Sequence, residues 1–288
     1  MRTLSQPRNE RPPLVASAYT VGMKPFILST AALALVAMGA APASADLKLV
    51  QTMTGKGAMV SMNGTSTTYI KGLKMRTDTV MGDTTHSMVF DLDAQKLYIF
   101  DSKKKEADVW DMADFGKQIA VAADTSEMKA SVKPTGQTKQ VAGQNANGYE
   151  MNISMPTKLG DPKNGMAMTV TLTGPMWVVK NAPGTADYLR FYKAAAEKGW
   201  IFSDPSAAKR SPGQARAMAE MYNQLAATGG VPYEMEMNIK MGGEGQMAAM
   251  MSKMGAMSST TTVQSADTAA LAADLFAPPA GYKLNPKK

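Results

Sequence analysis

Between Tyr69 and Trp110, apolar and polar positions alternate in short runs separated by tight polar turns. Leu73, Met75, Thr77, Thr79 and Met81 fall on one side of an extended chain and Lys74, Arg76 and Asp78 on the other, because successive side chains of a strand point to opposite faces. Gly82-Asp83 is a turn signal, and the next run sets His86, Met88, Phe90 and Leu92 against Ser87, Val89 and Asp91. After a turn at Asp93 to Gln95, the stretch Leu97 to Phe100 is apolar on both faces, as in a strand covered on both sides. A charged turn from Asp101 to Lys105 then leads into Ala107 to Trp110. The four runs predict a β-meander.

The same two-residue period recurs outside the meander. Leu47 to Thr54 reads as a first strand, and Thr65 to Ile70 leads into the meander. Tyr149, Met151, Ile153 and Met155 alternate with Glu150, Asn152 and Ser154, and Met166, Met168, Val170 and Leu172 alternate with threonines. Trp177 to Val179 continue that strand past Gly174-Pro175, which requires a bulge or bend because proline cannot donate to a ladder. Val132 to Val141 is polar and reads as an edge or hairpin strand. Tyr233, Met235, Met237, Ile239 and Met241 alternate with Glu234, Glu236, Asn238 and Lys240, and Ser258 to Ser265 is a threonine-rich strand. The segment 237–241 nearly repeats 151–155; two strands of one sheet facing the same apolar space account for this more simply than a duplication.

Helical spacing appears in three places. Met112 to Met128 is alanine-rich, with Phe115, Ile119 and Val121 in register for a short helix. Between Gly184 and Gly230 lies a helical insert. Thr185 is the expected cap of a helix through Lys198, with Tyr188, Phe191, Tyr192 and Ala195 on one face. Ser211-Pro212 with Gln214 forms a capping-box pattern for a second helix, whose stripe is Ala215, Met218, Met221, Tyr222 and Leu225 and whose stop is Gly229-Gly230. Strands interrupted by a helical insert make this an α+β chain. It closes on Pro278-Pro279-Ala280-Gly281-Tyr282, a rigid exit with one aromatic to dock.

The first 45 residues stand apart. Lys24 precedes the apolar run Phe26 to Met38, followed by Pro42 and Ala43-Ser44-Ala45. A positive n-region, an h-region and an A-x-A site form the layout of a secretory signal peptide, and the run is shorter than the roughly 20 apolar residues of a spanning helix. The division expected is therefore an N-terminal extension over 1–22, with Met23 as the true start, a cleaved signal peptide over 23–45, and a single domain over 46–288 with its helical insert at 184–230. The chain has no cysteine, so a lipid attachment point and disulfides are both absent, and a soluble periplasmic protein is expected. Removing the leader, with Arg2, Arg8, Arg11 and Lys24 against Glu10, lowers the net charge from +7 to +4. That mild balance, with Lys103 to Lys105 confined to a hairpin turn, speaks against a nucleic-acid partner.

Little in the composition suits catalysis. There is one histidine and no cysteine, so no thiol–imidazole nucleophile and no multi-histidine zinc site can be assembled. His86 is expected as a half-buried, hydrogen-bonded histidine of the strand face. No catalytic residue, metal ligand or cofactor is assigned, and a non-enzymatic protein is expected. Methionine is the anomaly, with 26 in all and six between Met241 and Met257. Met247, Met250, Met251, Met254 and Met257 follow a helical spacing of three and four. Three readings of them stand: adaptable core filler, the lining of a lipid-binding groove, and soft thioether ligands for Cu(I) or scavengers of oxidants.

One resemblance gathers these features. Tyr69-Ile70-Lys71-Gly72 with Lys74-Met75-Arg76, the Phe90-Asp91-Leu92-Asp93 hairpin, the helical insert and Phe276-Ala277-Pro278-Pro279-Ala280-Gly281-Tyr282 follow one another behind a leader. This order resembles the exported family called domain of unknown function 4412, itself similar to the LolA/LolB-like periplasmic lipoprotein carriers and receptors. The resemblance implies a strongly curved antiparallel sheet, an unclosed half-barrel, with helices packed as a lid on one side over an apolar cavity that accepts acyl chains. It transfers no catalytic residue, and none of the arginines matches those that hold the lid in the carriers. The ligand lining expected is Met88, Phe90, Leu92, Met151, Ile153, Met235, Met237, Ile239, Met247, Met250, Met251 and Met254. The function expected is binding of a lipid or acylated partner, with a Cu(I)-binding or oxidant-scavenging protein and an envelope interaction module as the alternatives.

Overall fold

A computed structural model describes residues 46–56, 61–122, 128–159, 165–198, 200, 205, 212–243 and 257–287. The chain opens with β1 (Leu47–Lys56), β2 (Ser61–Lys71), β3 (Lys74–Met81), β4 (Thr84–Asp91), β5 (Lys96–Asp101) and β6 (Glu106–Asp111). Each pairs antiparallel with the one before, as the polar turns between apolar-alternating runs require. At the end of β6 the Asp111 carboxylate accepts the amides of Ala113 and Asp114 at 3.1 and 3.2 Å, capping α1 (Met112–Ala122). Lys96 lies 2.8 Å from the same carboxylate and, with the Asp114 amide, holds it below the usual carboxylate range.

The second half contains β7 (Lys129–Val141), β8 (Gln144–Leu159), β9 (Met166–Val179), α2 (Thr185–Glu197), α3 (Pro212–Ala227), β10 (Val231–Gly243), β11 (Met257–Thr268), a 3₁₀ turn (Ala273–Phe276) and β12 (Lys283–Lys287). All twelve strands join one sheet in the order β12-β6-β5-β4-β3-β2-β1-β11-β10-β9-β8-β7. Every ladder is antiparallel except β12 with β6. The order begins at β12 and ends at β7, so the sheet is unclosed, and the described residues belong to the compact unit 42–288.

Register shows how the alternation becomes a core. Leu47, Ile70, Met75, Phe90, Leu97 and Trp110 stand opposite one another across six strands. All six are buried, in one cluster with Tyr188, Phe191 and Ala195 of α2 and with Trp200. In the other half, Ile153, Leu172 and Ile239 form a row across β8, β9 and β10, in a cluster with Met221 and Leu225 of α3. A third cluster occupies the opposite face, where Val89, Phe100 and Ala107 pack with Phe276. The entry to α2 depends on Gly184, at φ 70, where a Cβ would lie 2.8 Å from the Leu47 side chain.

The near-repeat of 151–155 and 237–241 has its structural basis here: β8 and β10 flank β9 and face the same apolar field. Three expectations need correction. Thr185 does not cap α2; Gly184 holds that position, and the Thr185 hydroxyl donates back to the Ala182 carbonyl at 2.7 Å. The described helix after Trp110 is Met112–Ala122, and Met128 stands outside it, just before β7. His86 is exposed, because the apolar field on β4 begins only at Met88. Tyr282 packs edge-on against Phe100, and beyond it the chain adds a strand, β12, whose five mostly exposed residues include a proline and carry no apolar alternation. The capping serine Ser211 lies outside the described residues.

Candidate functional site

The expected ligand-lining residues divide between two apolar fields on the helix side of the sheet. Phe90 and Leu92 are fully buried within the α2 cluster, and Met88 is half-buried against it. The side chains of α2 and Trp200 fill the space over this part of the meander. A ligand there would have to displace Phe191, itself completely buried.

Met151, Ile153, Met235, Met237 and Ile239 belong together in the second field. Cross-strand register extends it in rows: Tyr149–Met176–Met235 and Met155–Val170–Met241 flank the isoleucine–leucine row. Burial changes from strand to strand. Met151, Ile153, Met155, Leu172 and Met176 of β8 and β9 are sealed under α3, whereas Met235, Met237, Ile239 and Met241 of β10 stay half-exposed. Beyond β10 the same face turns polar, since Thr261 and Ser259 of β11 stand opposite Met235 and Met237. The result is a thioether and isoleucine strip bordered by hydroxyls. Met247, Met250, Met251 and Met254 lie outside the described residues, in the connection from Gly243 to Met257.

Within the meander the helix-side face also carries hydroxyls. Ser66 and Thr68 are buried on β2, and their hydroxyls lie 3.3 and 3.5 Å from those of Thr79 and Thr77 on β3. Pairing removes most of the cost of burying them. Thr77 and Thr79 already showed this face in the sequence alternation, but their pairing with Thr68 and Ser66 depends on a register that only the ladder supplies.

Three tyrosines tie the helices to the sheet. Tyr192 of α2 stacks on Tyr222 of α3 at 5.3 Å and lies 4.4 Å from Tyr188, ring centre to ring centre. Its hydroxyl donates to the Met75 sulfur at 3.6 Å. Desolvation pushes all three phenols up, Tyr222 to about 12 and the others further, so none ionises near neutral pH. The sequence stripes named these residues as helix faces without indicating that they meet one another.

Chemistry-bearing groups do not converge on the apolar strip. Among the described residues no three of histidine, aspartate and glutamate are placed to hold a metal ion. No helix of the described residues is long and apolar enough to cross a membrane.

No protein-family model matches the chain, and no curated protein matches it. Among solved structures, the LolA superfamily protein NE2245 from Nitrosomonas europaea aligns over 82% of this chain and 91% of its own, at 5% sequence identity and a TM-score of 0.26.

Proposed function

We propose that the mature protein is an exported, non-enzymatic binding protein that holds a lipid or an acylated partner against the half-exposed methionine strip of β10, beside the β8 and β9 side chains that α3 seals. The observation that carries the reading is the half-exposure of Met235, Met237, Ile239 and Met241 beside neighbours on the same face that are sealed. An apolar row left partly open next to a finished core is where an apolar ligand gains most by binding. Burial yields about 0.8 kcal/mol per methylene, so a chain of roughly a dozen carbons supplies about 10 kcal/mol gross. Unbranched thioether side chains adapt to such a chain without fixed polar contacts. The bordering hydroxyls of Ser259 and Thr261 give a headgroup partners at the edge of the strip.

The export reading joins this one through the leader-like segment and the resemblance to domain of unknown function 4412. Lipids extracted from protein purified out of its own envelope compartment, identified by mass spectrometry, test the proposal. A bound acyl species at near-stoichiometric yield supports it. Lipid-free protein that also fails to displace a fluorescent fatty acid refutes it.

A further inference from the structure

A concave region lies far from the methionine strip in the sheet order, at the end of the meander where the β3–β4 and β5–β6 turns meet β12. It is a groove of about 560 Å³, within the range of small-ligand sites. Its residues follow from register. On β4, β5 and β6 the helix-side positions that are apolar at one end, at Phe90, Leu97 and Trp110, become His86, Asp101 and Asp108 at the other. β12 completes the wall with Asn285 and Lys287, because its parallel pairing sets Asn285 beside Asp108 and Lys287 beside Trp110.

The charges of this groove are already matched in pairs. Lys287 lies 3.0 Å from Asp108, Lys104 lies 3.0 Å from Asp101, and Lys283 lies 3.5 Å from Glu106. Asp101 also accepts the amides of Lys103 and Lys104, which with the Lys104 ammonium keep its carboxyl below the usual range. The two charged lining groups outside these pairs, Asp83 and Lys103, have opposite signs. An anion or cation entering would meet no net field of the opposite sign, and a zwitterion would have to break existing pairs. What the walls offer is a dense set of hydrogen-bonding groups with spare capacity: carboxylate lone pairs, an amide, ammonium protons, an imidazole, and the hydroxyls of Thr84 and Thr85. Ile99 adds an apolar patch on the same face.

We propose that this groove is a binding site for a neutral, polyhydroxylated ligand of the saccharide class. Each sugar hydroxyl both donates and accepts, so it can bridge the members of an ion pair without separating them. The site is independent of the methionine strip, so its failure leaves the lipid reading untouched.

His86, the only histidine of the chain, provides a single imidazole NMR reporter inside the groove. Titration of the full mature protein at fixed pH with a panel of mono- and disaccharides is expected to move that resonance saturably for at least one sugar, with a millimolar or tighter dissociation constant. Thr85→Val, which removes a lining hydroxyl and leaves intact the Asn285–Glu106 hydrogen bond that holds β12, is expected to weaken that binding several-fold while leaving the far-ultraviolet circular dichroism unchanged. A second variant, Thr84→Trp, places a bulky ring at the groove wall, at the exposed start of β4, and is expected to abolish the shift. No response to any sugar at about 50 mM, where even a millimolar site is filled, overturns the proposal. So does a response only to phosphate or to a zwitterionic amino acid.

Discussion

The hydroxyl of Tyr192 donates to the sulfur of Met75, 3.6 Å away and 117 positions earlier in the chain. That contact ties α2 to the meander, and the stack of Tyr192 on Tyr222 carries the tie on to α3. The cover of the methionine field is thus linked to the closed core of the other field through three phenols that desolvation keeps protonated.

Alkaline pH should undo this arrangement. A phenol whose pKa is higher folded than unfolded contributes stability that is fully present below the ordinary value of 10.0 and is lost as pH rises through the folded value. Unfolding free energy measured by urea titration is expected to hold steady up to about pH 9 and to fall steeply from about pH 10 to beyond 12. Tyr222→Phe should flatten the fall, since its phenol, raised to about 12, no longer contributes. An identical pH profile for Y222F and the parent would show that the tyrosine is not desolvated in the folded protein.

Gly174 sets the path of β9 beside β10. At φ 151, a Cβ there would lie 2.1 Å from the Glu236 carbonyl oxygen, a backbone atom that cannot step aside alone. Gly174→Ala is expected to lower stability by about 3 kcal/mol or more. Gly242, also in β10, has open space where a Cβ would stand, and Gly242→Ala should be neutral or slightly stabilising. Chemical denaturation of the two variants should therefore differ by several kcal/mol, and equal stabilities would contradict the close approach at Gly174.

Asp46 fastens the start of β1 to the chain after β11. Its carboxylate accepts Lys71 Nζ at 2.6 Å and the Leu271 amide at 2.7 Å, and its carbonyl accepts the Ala269 amide at 3.1 Å. Asp46→Ala leaves the Leu271 amide without that partner and should cost about 1 to 3 kcal/mol. The same residue follows the expected cleavage site, so mass spectrometry of the exported protein should find Asp46 at its N-terminus. An uncleaved chain would refute the export reading.

How much of this was open to inspection in the sequence depended on whether the signal was local. Two-residue alternation revealed the strands, including the double-sided burial of Leu97 and Phe100, now seen in clusters on opposite faces. It also revealed the helix stripes of Tyr188 and Met221. Alternation could not say which strands neighbour which, and this decides the site. Phe90 and Ile153 read alike in sequence, yet α2 closes over one and α3 over the other. Nor could it show β12, whose side chains are exposed or half-exposed and whose attachment rests on main-chain pairing and on Glu106 and Asp108. Val89 read as a polar-face residue because its cover, Phe276, lies nearly two hundred positions downstream.

The gradient of burial across the methionine field separates core from binding surface, and one pair of substitutions tests that separation. Leu172 is completely buried between Ile153 and Ile239, so Leu172→Ala should cost about 2 to 5 kcal/mol of stability. Ile239 is only half-buried on the neighbouring strand, and Ile239→Asp should cost less, about 1 to 2 kcal/mol. Its effect on ligand should run the other way, because a carboxylate set in the open strip must be desolvated by any acyl chain lying over it. Displacement of a fluorescent fatty acid is expected to weaken at least tenfold in Ile239→Asp. Leu172→Ala, measured where it remains folded, should retain affinity within a few-fold. A reversal of the two binding effects would mean that the ligand lies under α3, within what is here a sealed core. Unchanged affinity in I239D would remove β10 from the site.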